Sequence, residues 1–238
     1  LFRVGSDLSN YSRMGQSWSK PVLANIRYNG AIRRVMIVGG GYDQCYENPS
    51  FRLNSTVATT DYPDTTCNSK SAAQGNAVYI IDATTGERIW WASSTGANTN
   101  NANMTHSVVS RISALDRDAD GLIDHLYFGD LGGQVFRADL NNNQIKSGSA
   151  YSDFGIRVAR LANMGTDTSG TALTLGKNPR FYEAPTVTIH DQGSTTFILL
   201  GLASGNRSTP LDVYPSIGRD GMLPTTALTD RLVNNVYG

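Results

Sequence analysis

The sequence predicts an all-β fold, a modified β-propeller represented by an incomplete set of blades, and three observations carry that expectation. Glycine (24) and tyrosine (11) are abundant and Asn/Ser/Thr-rich connectors recur, which favours short strands joined by turns over long helices. A three-part block of strands recurs along the chain. Such block-wise repetition favours a propeller over a sandwich or jelly roll, the competing all-β architectures. A run of regularly spaced aspartates interrupts one block where a hairpin loop belongs.

The first part of the block is a short strand opened by a small residue or proline: Pro21–Ile26, Ser107–Ile112 and Pro185–Ile189. The second is a buried apolar strand ending in glycine, Val35–Gly39, Leu126–Gly129 and Phe197–Gly201, where crowded backbones near a propeller axis would leave no room for a side chain. The third is Gly75–Asp82, matched by Gly132–Asp139. In the first repeat this part turns through Thr84-Thr85-Gly86 into an aromatic strand, Glu87–Trp91. Gly39-Gly40-Gly41 reads as a turn at a strand end, because it lacks the dinucleotide fingerprint and no helix signal follows it.

Length and hydrophobic content, 238 residues and 39%, suit one core, so residues 1–238 read as a single propeller domain. Propellers close with about 4 to 8 blades, so roughly three blades here suggest a fragment of a longer protein. The ending Asn235–Gly238 resembles the opening of a further strand. Twenty basic residues balance twenty acidic ones, which gives no field to attract nucleic acid or an anionic membrane. No run of 18 apolar residues offers a membrane span, and the N-terminus lacks signal-peptide character.

The only cysteines, Cys45 and Cys67, lie in a polar stretch from about 42 to 75 that reads as structureless and is too long for an ordinary connection. A disulfide between them would staple it in an oxidising compartment; the alternative is two free thiols.

Asp116-x-Asp118-x-Asp120-Gly121-x-x-Asp124 places carboxylates at positions 1, 3, 5 and 9 of a loop, with glycine at position 6 for the sharp turn. Hard oxygen ligands in that order, with the Leu122 carbonyl and a water, suit Ca2+ better than the rigid octahedron Mg2+ demands. Without a cation the four charges repel, so binding would order the hairpin. The loop runs between two strands, unlike an EF-hand, and resembles the loops of integrin-type propellers. The competing reading is a solvated Asp-rich turn. His125 reads as a surface neighbour of the loop.

No nucleophile elbow, zinc-protease or Walker signature occurs, and His106, His125 and His190 share no ligand spacing, so the sequence supports no enzyme. Asp82–Trp90 resembles the repeat that docks tryptophan between the blades of quinoprotein dehydrogenases, which makes a quinone-dependent (PQQ-type) periplasmic dehydrogenase the alternative function. That segment occurs once, and the vicinal cysteines typical of those enzymes are missing, so the likeness reads as one of quinoprotein-like fold.

In order along the chain, Gln16–Val22, Val38–Asp43, Gly75–Asp82, the aspartate loop with Leu126–Arg137, Pro179–Pro185 and Gly205–Arg207 resemble the C-terminal domain of the PilY/PilC family of type IV pilus tip adhesins and biogenesis factors, across residues 15 to about 212. The resemblance implies a modified propeller at the pilus tip or cell surface, or in the periplasm or outer membrane, of a Gram-negative bacterium. It implies minor pilins as partners, host-cell or abiotic surfaces as adhesion targets, and calcium occupancy as a switch for pilus extension, retraction and twitching motility. Asp116, Asp118, Asp120 and Asp124 match the family's calcium positions. The Cys45–Cys67 insertion departs from the family's core pattern, and Gly218-Arg219-Asp220-Gly221 is no Arg-Gly-Asp motif, so integrin binding through that motif is not inferred.

Overall fold

Runs of alternating or fully apolar β-formers, separated by glycine and asparagine turns, become twelve strands in three sheets among the described residues. The computed structural model describes residues 1–47, 51–54, 65–145, 148, 150, 152–166, 169–171, 173, 178–208 and 234–238. The 218–221 tetrapeptide and the end of the family-like span near 212 lie outside them.

The first sheet runs β1 (Val22–Tyr28), β2 (Ala31–Gly39), β3 (Ala77–Asp82), β4 (Arg88–Ser93) and a short parallel β5 (Thr99–Asn100). Asn29 and Gly30 both hold positive φ, 49° and 75°, the turn that matches the twist of a two-residue hairpin and sets Tyr28 opposite Ala31. At the β3–β4 turn the Asp82 carboxylate accepts N–H bonds from Thr84 and Thr85 at 2.8 and 3.0 Å, and Gly86 supplies φ +78°. The second sheet is β6 (Ser113–Leu115), β7 (His125–Gly129), β8 (Gln134–Leu140) and β9 (Ile156–Asn163); the third is β10 (Thr186–Gln192), β11 (Thr195–Ala203) and β12 (Val236–Tyr237). The fold is all-β, and none of the sheets closes on itself. The chain's last segment does enter a sheet: β12 pairs antiparallel with β11.

The first two sheets share one core, in which Ile37, Val78, Ile80 and Trp90 meet Leu126, Phe128, Phe136 and Ala138. Trp90 donates its indole N–H to Thr99 Oγ1 (3.1 Å), whose hydroxyl reaches the Ile156 carbonyl in the neighbouring sheet (2.8 Å), so the one polar atom of that buried ring is satisfied across the seam. Val135, Phe181 and Leu202 form a smaller cluster beside the third sheet.

Three expectations need correction. Ser107–Ile112 is no strand, since β6 covers only Ser113–Leu115. Its backbone groups are taken by glycine-rich loops instead: Val108 bonds Gly75 and Gly41, and Ser107 accepts from Leu131 N–H. The stretch 42–75 is not structureless in its described residues. It contains 3-10 turns at Gln44–Glu47 and Thr65–Cys67, and its Tyr42, Cys45, Tyr46, Phe51, Cys67 and Ala73 pack into a buried cluster with Val109, Leu131 and Tyr182. The strand-ending glycines also differ. A Cβ at Gly39 would run into the Val108 carbonyl and one at Gly129 would lie 2.7 Å from Phe181, whereas at Gly201 the nearest atom is an ordinary 3.9 Å away.

Candidate functional site

The aspartate loop joins β6 to β7 as a hairpin whose base is closed by Asp124 N–H donating to the Leu115 carbonyl at 2.9 Å. Inside it each carboxylate caps a backbone N–H of the turn. Asp116 accepts from Gly121 (2.8 Å), Asp118 from Asp120 (3.2 Å), Asp120 from Leu122 (2.8 Å) and Asp124 from Arg117 (2.8 Å). Gly121 sits at φ +88° and Ala119 at +63°, the left-handed conformations that curl the chain around its own side chains.

The result brings the carboxylates of Asp116, Asp118 and Asp120 together, one oxygen of each within 4.8 Å of the others. Asp118 and Asp120 are exposed and Asp116 is half-buried; Asp116 Oδ1 is sealed from solvent with no hydrogen-bond partner. A buried carboxylate oxygen left unpaired is costly, and a bound cation is one way to satisfy it. These three residues fit a hard divalent ion. Asp124 stands outside the triad and faces the Arg117 N–H, while Leu122 is buried with its side chain inward. A cavity of about 260 Å³ opens beside Asp118, Asp120 and Asp124, walled on its far side by Asn141, Asn142 and Asn143.

Those asparagines are the part of the site that the sequence reading missed. Asn142 and Asn143 adopt φ 44° and 48°, which asparagine tolerates better than most residues, and together they clasp the first sheet. Arg27 N–H donates to Asn142 Oδ1 (3.1 Å) and Asn29 N–H to Asn143 Oδ1 (2.6 Å). Asn142 Nδ2 in turn donates to the Ile123 carbonyl (3.1 Å), and Ile123 N–H donates to the Asn25 carbonyl on β1 (3.0 Å). Residues of the aspartate loop are thus tied directly to the neighbouring sheet. Three consecutive asparagines after a strand were the available signal.

His125 is not a surface residue, its side chain being only 14% exposed. Its Nδ1 lies 2.9 Å from Asp139, which also accepts from Arg157 (2.7 Å) and Arg137 (3.2 Å). Burial works against ionising Asp139, but the two arginines outweigh it and hold that carboxyl below its ordinary range.

Cys45 and Cys67 form a disulfide, with Cα atoms 5.6 Å apart. Beside it Asp43 accepts from Lys70 Nζ (2.6 Å), Gln74 N–H (2.7 Å) and Cys45 N–H (3.0 Å), gathering both ends of the stretch onto one carboxylate. Just after β7 the wholly buried Asp130 accepts from Gly132 N–H, Gln134 N–H and Gln134 Nε2, all at 2.9 Å. Burial pushes its carboxyl up to about 7 even against those three donors. Among the described residues no helix is long and apolar enough to cross a membrane.

No family model and no curated protein matches the chain. Among solved structures it is similar to the PilY1 C-terminal domain of Pseudomonas aeruginosa, at 19% identity and a TM-score of 0.43 over 84% of this chain, which spans 46% of the length of that one.

Proposed function

We propose that the chain is a calcium-binding domain of a type IV pilus biogenesis factor or tip-associated adhesin, acting outside the cytoplasm, with no catalytic role. The observation that carries the calcium reading is the convergence of the Asp116, Asp118 and Asp120 carboxylates, Asp116 also carrying a buried oxygen that no protein group pairs. Asp116, Asp118 and Asp120 would hold the ion, with the Leu122 carbonyl and Asp124 completing the set. Bound there, the ion supplies charge neutralisation. The chain's own part is to fix the loop's curvature through Gly121 and Ala119 and to pass order to the first sheet through Ile123, Asn142 and Asn143. The pilus reading rests on the ordered blocks of the sequence that resemble the PilY/PilC family, and the minor pilins are its partners. The Cys45–Cys67 disulfide is consistent with an oxidising compartment.

Calorimetry with Ca2+ tests the metal reading: one site is expected, lost in Asp120→Ala. Calcium binding undiminished in that variant sinks it. In cells carrying the same substitution, unchanged pilus display and twitching would remove the regulatory role while leaving the metal site standing. The dehydrogenase alternative predicts turnover of an alcohol after reconstitution with quinone cofactor, and none is expected.

A further inference from the structure

A second concave site lies away from the aspartate loop, under the disulfide-stapled stretch. It is a cavity of about 190 Å³ whose apolar wall is Tyr46, Phe51, Leu53 and Leu131. Phe51 stands edge-on to Tyr46 with centroids 5.0 Å apart, so the two rings touch and form a continuous aromatic wall. The polar lining comes from Arg180, His106, Asn178 and Arg52.

Arg180 is the telling residue. It is 6% exposed, and its guanidinium stacks 5.1 Å above the Tyr46 ring. Its hydrogen bonds run through Nη1 to the Tyr46 carbonyl (2.9 Å) and Asn206 Oδ1 (3.3 Å), both neutral acceptors. Among the described residues no carboxylate lies within ion-pair distance of it. Asp130, the wholly buried carboxyl in this region, is already occupied by Gly132 and Gln134. A buried cation without an anionic partner is costly, and guanidinium matches carboxylate geometry in a fork of two bonds. In the same lining, Asn178 Oδ1 is buried with no donor to it. His106 shares a 2.8 Å hydrogen bond with the Tyr46 hydroxyl, and burial pushes its imidazole down to about 4, so it adds a neutral edge near neutral pH.

We propose that this cavity binds a small hydroxylated carboxylic acid with a flat apolar body. The carboxylate pairs with Arg180, a hydroxyl donates to Asn178 Oδ1, and the ring lies against the apolar wall of Phe51, Leu53 and Leu131. The site is independent of the metal loop. Its elements come from four separate stretches of chain, one of which is the disulfide-stapled stretch that supplies Tyr46, Phe51 and Leu53, so binding is coupled to that stretch's integrity.

Calorimetric titration of the intact chain with 4-hydroxybenzoate, benzoate and 4-hydroxybenzamide tests the proposal. One saturable site is expected for 4-hydroxybenzoate. Removing the charge in 4-hydroxybenzamide weakens binding about tenfold to a hundredfold, the range of a lost charge-assisted bond. Removing the hydroxyl in benzoate weakens it about fivefold. Arg180→Gln abolishes the preference for acid over amide. Because Arg180 also bonds the Tyr46 carbonyl, Leu53→Trp serves as a second variant: it fills the cavity from its half-exposed rim and removes binding while the thermal melt stays put. Equal affinity for acid and amide, no saturable binding of 4-hydroxybenzoate, or binding unaffected by Leu53→Trp each overturns the proposal.

Discussion

The aspartate loop and the disulfide-stapled stretch are both long excursions from a sheet, yet they are held by opposite means. The first buries little. It is a shell of carboxylates folded over its own N–H groups, and one buried oxygen lacks a counterpart. The second is closed covalently and filled with aromatics, and its buried carboxylate, Asp43, accepts from Lys70, Gln74 and Cys45. On the calcium reading one loop would depend on what is dissolved around it, while the other is held by what is packed beneath it.

The sharpest blow to the stapled stretch should fall at its root. Gly75 holds φ +80°, and a Cβ there would strike the Gly41 carbonyl, so Gly75→Ala should cost on the order of 4 kcal/mol or prevent folding, read by chemical denaturation. Opening the staple with Cys45→Ser should cost about 3 kcal/mol in the chain-entropy view, and adding reductant to the parent chain should reproduce that loss in thermal melts. Calcium should leave the size of both losses unchanged; if it restores either, the two loops are not independent.

The packed region also makes a prediction about pH. His106, at about 4 when folded against an ordinary 6.5, takes up its proton more readily when unfolded, so its contribution to stability falls as pH drops from about 6.5 to 4. Asp130, at about 7 when folded against 3.8, holds its proton more tightly when folded, so its contribution falls as pH rises from about 4 to 7. The two slopes oppose and largely cancel. Asp130→Asn should unmask the histidine, giving a variant that loses on the order of 3 kcal/mol between pH 6.5 and 4 while the parent stays nearly flat over that window. A variant as flat as the parent would show that the pair does not titrate in this way.

The exposed loop carries the smallest expected effect. At a calcium concentration of about 100 times Kd the parent should gain about 2.7 kcal/mol, visible as a raised unfolding midpoint, and Asp116→Asn should remove most of that gain. An equal gain in the variant would place the ion elsewhere.

How far the sequence could be read follows the same division. The aspartate spacing was legible because all of its members fall within nine residues and each side chain caps a neighbour's N–H. Most strands were legible because β-branched and apolar runs end at glycines. Ser107–Ile112 misled because its apolar run has strand character, while its backbone groups are met by loops that close only in three dimensions. Nothing local marks Tyr46, His106 and Arg180 as neighbours. Burial and hydrogen bonding join residues as many as 134 positions apart, and only the folded cluster reveals it.

The bonds from Ile123, Arg27 and Asn29 across the first seam have a mechanical meaning. Traction that slides the second sheet past the first must strain all three. If a bound ion stiffens the aspartate hairpin, the Ile123 bond would yield less and the three would share the load. Ion occupancy would then set how much pull this joint withstands before it gives.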